Sequence, residues 1–129
     1  MKVLIITGSR RGIPQSRHDL HLALSEAIRA SDLVLHGGAY GVDTLAYELA
    51  VGHNVHSAGV NALWQSRDGQ GRNKKAGSDR NSVLVELAAT LRRGGAEVRF
   101  SAFPDAESRG TWDCVRKLKA ANIVGEVHQ

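Results

Sequence analysis

Glycine, hydroxyl and arginine residues recur in three short stretches of the sequence, and this combination is suited to binding phosphate. The stretches cover residues 8–10 (GSR), 36–41 (HGGAYG) and 108–111 (SRGT). Hydroxyl and guanidinium groups donate hydrogen bonds to phosphate oxygens, and glycine lets a backbone N–H approach a ligand closely. A helix that starts after such a turn adds unpaired N–H groups and a positive dipole end. The stretches therefore predict an anion site, with an ordinary tight connection as the alternative for any one of them.

Apolar runs precede these stretches and predict the strands that position them. The run KVLIIT, Lys2 to Thr7, is typical of a strand buried on both faces of a parallel sheet. The predicted strands are Lys2 to Thr7, Asp32 to Leu35, Asn54 to Val60, Ala96 to Phe103 and Ile123 to Val127. The predicted helices run from a Ser16–Asp19 capping box to Ala30, from Asp43 to Gly52, from Ser78 or Asp79 to Arg93, and from Thr111 to Asn122.

Strands that alternate with helices form a parallel sheet through right-handed crossovers. We therefore expect an α/β fold: a single Rossmann-like domain over residues 1–129, with about five parallel strands and helices on both faces. Ligands bind at the carboxyl ends of such strands, where the three polar stretches would meet. The GxGxxG of dinucleotide-binding proteins is missing after the first strand, so ordinary NAD-dependent hydride transfer is not expected.

Residues at this edge form the candidate ligand site. They are Gly8, Ser9, Arg10, His36, Gly37, Gly38, Ala39, Gly41, Asp43, Arg80, Asn81, Ser108, Gly110 and Thr111. The backbone N–H groups of the glycines are expected to face a phosphate. Asp43 either caps its helix or holds a ribose hydroxyl, and Thr111 is either a phosphate donor or a helix N-cap. Asn81 either bonds a base edge or closes its turn, and Trp64 either stacks on a base or anchors its loop.

Composition limits the environment and partners of the chain. The formal charge is +4 with a pI near 9.6, and much of the excess lies between Arg67 and Arg80. That segment is either a solvated loop or a surface for a polyanion. The single cysteine, Cys114, fits a reducing compartment, and the longest apolar run, Val3 to Ile6, is too short to span a bilayer. We expect a cytoplasmic protein with no membrane partner and no metal site.

Four motifs, in this order, resemble those of the SLOG superfamily: GSR at residues 8–10, HGGAYGVDTLA at 36–46, AGSDRN at 76–81 and FPDAESRGT at 103–111. Within it the chain is most similar to the small bacterial and phage proteins of the DUF2493 (YspA-like) group, and the likeness covers nearly the whole chain. The resemblance implies a Rossmann-like fold that binds a nucleotide or a nucleotide-derived ligand. It is also compatible with a homo-oligomer, because members of the superfamily tend to pair through their helical faces.

Two branches of the superfamily imply different functions. The LOG branch, nucleoside-monophosphate phosphoribohydrolases, has a PGGxGTxxE motif with a catalytic arginine and glutamate. Here Arg80 would replace that arginine, and Cys114 stands where the glutamate is found. The candidate catalytic residues are therefore Arg80, Asp113 and Cys114, with Cys114 either a nucleophile at a helix start or a buried small residue. The DprA branch binds single-stranded DNA, and GGAYGVD and Arg80-Asn81 resemble its motifs as well.

The principal hypothesis is a module that binds a nucleotide or nucleotide derivative as a sensor, carrier or sequestering protein, with no further cofactor required. One alternative is a nucleotide-cleaving hydrolase of the phosphoribohydrolase type. The other is a DprA-like binder of single-stranded nucleic acid, in which the basic segment with Lys74 and Lys75 holds phosphates. The sequence leaves open whether the ligand is cleaved.

Overall fold

The computed structural model describes residues 1–65, 71 and 73–129. Its strands are β1 (Lys2–Gly8), β2 (Leu33–His36), β3 (His56–Gly59), β4 (Glu97–Phe103) and β5 (Val124–Val127). Its helices are α1 (His18–Arg29), α2 (Val42–Gly52), α3 (Ala76–Arg93) and α4 (Arg109–Ala120). Strand and helix alternate along the chain, as the apolar periodicity predicts.

One parallel sheet contains all five of these strands, in the order β3-β2-β1-β4-β5. The apolar strand β1 lies at the centre, where Ile5 pairs with Leu35 of β2 and with Phe100 of β4. A central strand has no solvent-facing edge or face, which explains why KVLIIT carries apolar side chains at successive positions. The predicted α/β, Rossmann-like fold with a five-stranded parallel sheet is confirmed.

The two faces of the sheet bury separate apolar clusters, because side chains of a strand alternate between its faces. On one face, Ile5 packs in a cluster with Leu84 of α3 and Leu118 of α4. On the other face, Ile6 packs in a cluster with Leu24 of α1 and other side chains of α1 and α2. The helices therefore cover both faces, and the loops at the carboxyl ends of the strands are left to form a site.

Three of the predicted helix starts differ from the observed ones by about two residues, and none of these helices has a side-chain cap. α1 begins at His18, and the predicted Ser16–Asp19 capping box is not formed; the Asp19 carboxylate accepts from the Arg17 guanidinium at 3.0 Å instead. α3 begins at Ala76, two residues before the predicted Ser78 cap. α4 begins at Arg109, so Thr111 lies inside its first turn and is not the N-cap.

The strand boundaries differ by one or two residues from the prediction. The largest difference is at β3, which begins at His56 although Asn54 was predicted. Asn54 has a φ of 58°, a left-handed backbone conformation that ends the preceding helix and does not fit a strand. None of the described helices is long and apolar enough to cross a membrane.

Candidate functional site

A cavity of about 660 Å³ lies at the carboxyl end of the sheet, where the loops after β1 and β4 meet the first turns of α2, α3 and α4. We call it the main cavity. Nine of the predicted ligand residues line it: Gly8, Ser9, Arg10, Ala39, Asp43, Arg80, Ser108, Gly110 and Thr111. The candidate catalytic residue Asp113 also lines it. The expected convergence of the three polar stretches at one sheet edge is therefore observed.

A second cavity of about 340 Å³ adjoins the main cavity, and we call it the side cavity. The two share Arg10, Ala39 and Arg80 in their linings. Gly37 and Gly38 line the side cavity together with Tyr40 and Trp64. His36, Gly41 and Asn81 belong to neither lining among the described residues, which indicates structural roles for these three predicted ligand residues.

Asp105 fastens the loop after β4 to the loop after β1. Its carboxylate accepts from the Ser9 hydroxyl and, at 2.8 Å, from Nε of Arg11. These donors, Arg11 first, hold the pKa of Asp105 well below its usual range. The Ser9 hydroxyl also accepts from the Arg11 N–H at 3.0 Å. The hydroxyl that was predicted to bind phosphate is thus bound within the protein, and Asp105 was missed because its partners are distant in sequence.

Two glycines allow the first and second loops to pack backbone against backbone. Gly41 has a φ of +85°, and a β-carbon there would collide with the backbone of Ser9 and Arg10. A β-carbon at Gly8 would lie 2.7 Å from the Val42 side chain. The Ser9 carbonyl then accepts from the Val42 N–H at 3.0 Å. Gly8 and Gly41 are therefore required for loop packing.

The backbone N–H groups of the glycine turn point into the protein. Those of Gly37 and Ala39 donate to Oδ2 of Asp43 at 3.0 and 3.2 Å. That of Gly38 donates to Nδ1 of His36 at 3.0 Å. The prediction that the Gly37 and Gly38 amides face a phosphate is therefore wrong, because short polar side chains on either side of the turn already accept their hydrogen bonds.

Asp43 is a buried carboxylate in the wall of the main cavity, with 5% of its surface exposed. Its Oδ1 has no hydrogen-bond partner among the described residues. Burial raises the pKa of Asp43 to about 6, against the lowering effect of the Ala39 N–H and of Arg80. It lies in the first turn of α2, yet its bonds go to the preceding turn, so it organises that turn instead of capping the helix.

Arg80 and Asn81 join the glycine turn to α4. Nη1 of Arg80 donates to the Gly37 carbonyl, and its Nε donates to Oδ1 of Asn81 at 2.9 Å. Nδ2 of Asn81 donates to the Gly110 carbonyl at 3.1 Å and to Oδ2 of Asp113 at 3.0 Å. The carboxamide of Asn81 is therefore fully used in closing this junction, which favours its structural role over contact with a base edge.

Asp113 is held by the same junction. Burial alone would raise its pKa, but donation from Asn81 and from Lys117 outweighs burial and lowers it. Nζ of Lys117 lies 3.0 Å from the Asp113 carboxylate and also donates to the Ser78 carbonyl at 2.8 Å. The carboxylate is thus ionised and paired, which suits a positioning role better than proton donation.

Cys114 is fully buried and belongs to neither cavity lining. Burial raises the pKa of its thiol to about 11, so at neutral pH it is a protonated core side chain. Of the two readings of Cys114, the structure supports the buried small residue and gives the nucleophile no access to ligand. Arg80, Asp113 and Cys114 are neighbours but do not form an open reactive set.

Arg10 and Arg109 are the arginines of the main cavity that remain available. Within the described ranges, no carboxylate lies at ion-pair distance from either guanidinium. Both side chains are exposed, Arg10 from the loop after β1 and Arg109 from the first residue of α4. Arg10 was predicted as a ligand residue, whereas Arg109 was missed although it lies within the predicted SRGT stretch.

Arg10 also contacts Trp64, an aromatic residue that shortly precedes the basic segment in the sequence. Its guanidinium lies 5.0 Å from the ring centroid of Trp64, which is within cation–π range. Of that segment, Lys74 and Lys75 are exposed, while Arg67, Asp68 and Arg72 lie outside the described residues. In the described part of the chain, no group of three or more His, Cys, Asp or Glu side chains is arranged to hold a metal ion.

Comparison with known proteins gives a clear sequence relative. The Gene 61 protein of Mycobacterium phage D29 is 34% identical over 126 residues, which cover 95% of this chain and 93% of the phage protein. The chain belongs to the family of that phage protein. No protein-family model matches the sequence.

Solved structures with the same fold are DNA processing protein A chains. The protein from Helicobacter pylori, solved for its single-stranded DNA binding mode, matches with a TM-score of 0.66 at 16% identity, covering 98% of this chain and 64% of that one. The protein from Streptococcus pneumoniae matches with a TM-score of 0.54 at 15% identity, covering 98% and 58%. The chain thus spans about three fifths of these structures, and at such low identity the likeness concerns the Rossmann-like fold.

Proposed function

We propose that this chain binds single-stranded DNA, with the DNA backbone phosphates held at the rim of the main cavity. The observation that carries the proposal is the pair Arg10 and Arg109. The other lining arginines are committed: Arg11 to Asp105 and Glu107, Arg80 to the Gly37 carbonyl and Asn81, and Arg116 to Asp113. Two exposed guanidiniums from different elements therefore face one opening with their donors free for phosphate oxygens.

The distribution of charge within the cavity favours a phosphate at the rim over one deep inside it. Arg10 and Arg109 are exposed, and the first turn of α4, with Gly110 and Thr111, adds the positive end of a helix dipole. Asp43, by contrast, is a buried carboxylate in the wall. A phosphate close to Asp43 would meet like charge in a poorly solvated place, so a strand lies across the opening.

The fold comparison agrees with this proposal, since the Helicobacter pylori protein of the same fold binds single-stranded DNA. The family resemblance adds that the chain belongs to the DUF2493 (YspA-like) group of the SLOG superfamily, which we propose on the order of its four motifs. A free nucleotide is the second candidate ligand. The size of the main cavity favours it, because about 660 Å³ lies within the usual range for small-molecule sites.

The test is the salt dependence of binding to a fluorescein-labelled oligo(dT), measured by fluorescence anisotropy. Arg10→Ala and Arg109→Ala are each expected to weaken binding and to reduce the slope of log K against log salt by about 0.7, the value for one contact to a single strand. Arg29→Ala is the matched control, since Arg29 is an exposed arginine at the end of α1 and away from the cavity lining.

Three outcomes decide between the candidates. A reduced salt slope in the Arg10→Ala and Arg109→Ala variants alone supports binding of single-stranded DNA at this rim. Equal slope changes in all three variants would show that the charge acts non-specifically and would overturn the assignment to this rim. Displacement of the oligonucleotide by thymidine monophosphate, at a concentration equal to that of the oligonucleotide's nucleotides, would favour the free nucleotide.

A further inference from the structure

The side cavity has a lining unlike that of the main cavity. Tyr40 and Trp64 line it together with Asn61 and Arg10. Tyrosine, tryptophan and phenylalanine make up only 5% of the chain, that is six residues, and both phenylalanines are buried. Two of the remaining four aromatic side chains therefore border the same small opening, directly beside the phosphate site.

Tyr40 is presented to solvent by a fixed turn. Its side chain is 85% exposed, although the turn that carries it is held by Asp43 on one side and His36 on the other. A large apolar ring kept outward on an ordered backbone offers its faces at little cost in conformational entropy upon binding. Such a ring is the element that stacks bases in proteins that bind single strands.

Arg10 connects the two cavities. It lines both, and its guanidinium lies over the Trp64 ring at 5.0 Å. A guanidinium that stacks on a ring still has its in-plane N–H donors available for a phosphate. A phosphate bound by Arg10 would therefore place an adjacent nucleotide at the mouth of the side cavity, within reach of Tyr40 and Trp64.

We propose that the side cavity is a base-stacking subsite, in which Tyr40 and Trp64 receive a nucleobase of single-stranded DNA whose phosphate is held by Arg10. This inference rests on the proposed function. It adds a second, chemically different contact to the strand and sets its path, from the first turn of α4 across Arg10 to the glycine turn.

Tyr40→Ala tests the stacking contact separately from the phosphate contacts. The measurement compares its affinity for oligo(dT) with its affinity for an abasic oligonucleotide, which has the same phosphates and no bases. Loss of one stacked base corresponds to a decrease of about 5- to 150-fold in oligo(dT) affinity. Affinity for the abasic strand and the salt slope are expected to stay at their wild-type values, and Tyr40→Phe is expected to restore oligo(dT) binding.

Tyr47→Ala is the matched control. Tyr47 is the other tyrosine of the chain, is 51% exposed on α2, and belongs to neither cavity lining. The Tyr47→Ala variant is expected to bind both oligonucleotides as the wild type does. A second readout uses Trp112→Phe, in which Trp64 is the only tryptophan; its fluorescence is expected to be quenched by oligo(dT) but not by the abasic strand.

The outcomes separate this inference from the proposed function. If the wild type binds the abasic strand and oligo(dT) equally well and Tyr40→Ala changes neither, the subsite is overturned while the phosphate rim stands. If Tyr40→Ala weakens both strands equally, Tyr40 acts on the turn and not on a base, which also overturns it. If no oligonucleotide binds, both proposals fail.

Discussion

The guanidinium of Arg80 occupies the space that a β-carbon at Gly37 would require, and its Nη1 donates to the Gly37 carbonyl. This contact joins α3 to the glycine turn after β2. The contact explains why residue 37 is a glycine although its φ lies outside the left-handed region. Glycine is required there by the neighbouring Arg80 side chain and not by the backbone conformation.

Gly37→Ala is expected to lower the free energy of unfolding by about 1–3 kcal/mol, because the new methyl group displaces the Arg80 guanidinium from its charged hydrogen bonds. Denaturant unfolding measures the change. In the Arg80→Ala background the same substitution should cost about 0.5 kcal/mol or less, since the obstructed partner is gone. Equal costs in the two backgrounds would show that Arg80 is not the reason for this glycine.

Gly41→Ala is expected to lower the free energy of unfolding further, by more than about 2 kcal/mol. A non-glycine residue at a φ of +85° is strained, and the β-carbon would press on the backbone of Ser9 and Arg10, which cannot rotate away. Gly52→Ala is the control: nothing lies within 4 Å of that position, and the substitution should be neutral or stabilising by up to about 1 kcal/mol. Thermal unfolding distinguishes the two.

Asp43 is expected to make the protein more stable as the pH falls from about 7 to about 4. Its pKa of about 6 in the folded protein exceeds the ordinary value of 3.8 for an aspartate, so the folded state binds the proton more tightly. The resulting stabilisation is fully present below the pKa of the unfolded state and is lost as the pH rises through the pKa of the folded state. At its full value it adds about 3 kcal/mol to the free energy of unfolding.

Other carboxylates titrate in the same range, so the measured quantity is the difference between wild type and Asp43→Asn. Asparagine can still accept the Gly37 and Ala39 N–H groups through its oxygen, but it does not titrate. The wild type should gain stability relative to the variant between pH 7 and pH 4. A difference that stays constant over this interval would show that burial does not raise the pKa of Asp43 in the folded protein.

Cys114 should be protected from thiol reagents in the native protein. It is the only cysteine, is fully buried, and has a pKa raised to about 11, so both access and thiolate are lacking. Labelling by a disulfide reagent is expected to follow global unfolding in guanidinium chloride. Rapid stoichiometric labelling without denaturant would mean that the thiol reaches solvent and would reopen its role in catalysis.

Sequence patterns predicted the order of the elements well, because apolar periodicity reports burial directly. KVLIIT indicated a strand buried on both faces of a parallel sheet, and β1 is such a strand, at the centre of the sheet. Helix starts were predicted less well: the Asp19 carboxylate bonds the Arg17 guanidinium, and Thr111 is buried inside the first turn of α4. Residue type alone does not decide which of the nearby partners a polar side chain takes.

The sequence predicted the location of the candidate site better than the roles of its residues. The three polar stretches do meet at one cavity. The sequence did not show, however, that the side chains of Ser9 and Asn81 donate hydrogen bonds within the protein. Their acceptors, Asp105 and Asp113, belong to another loop and another helix that are distant in sequence. Nor did it single out Tyr40, whose exposure depends on how the glycine turn is held.

The central position of β1 has a consequence for folding during synthesis. Val3 pairs with Leu33 on one side but with Val98 on the other, so the second neighbour of β1 is made about 95 residues after β1 itself. The cluster beneath α1 and α2 draws almost entirely on the first 55 residues, whereas the cluster beneath α3 and α4 needs residues up to Ile123. A ribosome-bound chain can therefore complete one face early while Ile5 and the open edge of β1 remain uncovered, and this interval is when the chain is most exposed to aggregation and to chaperones.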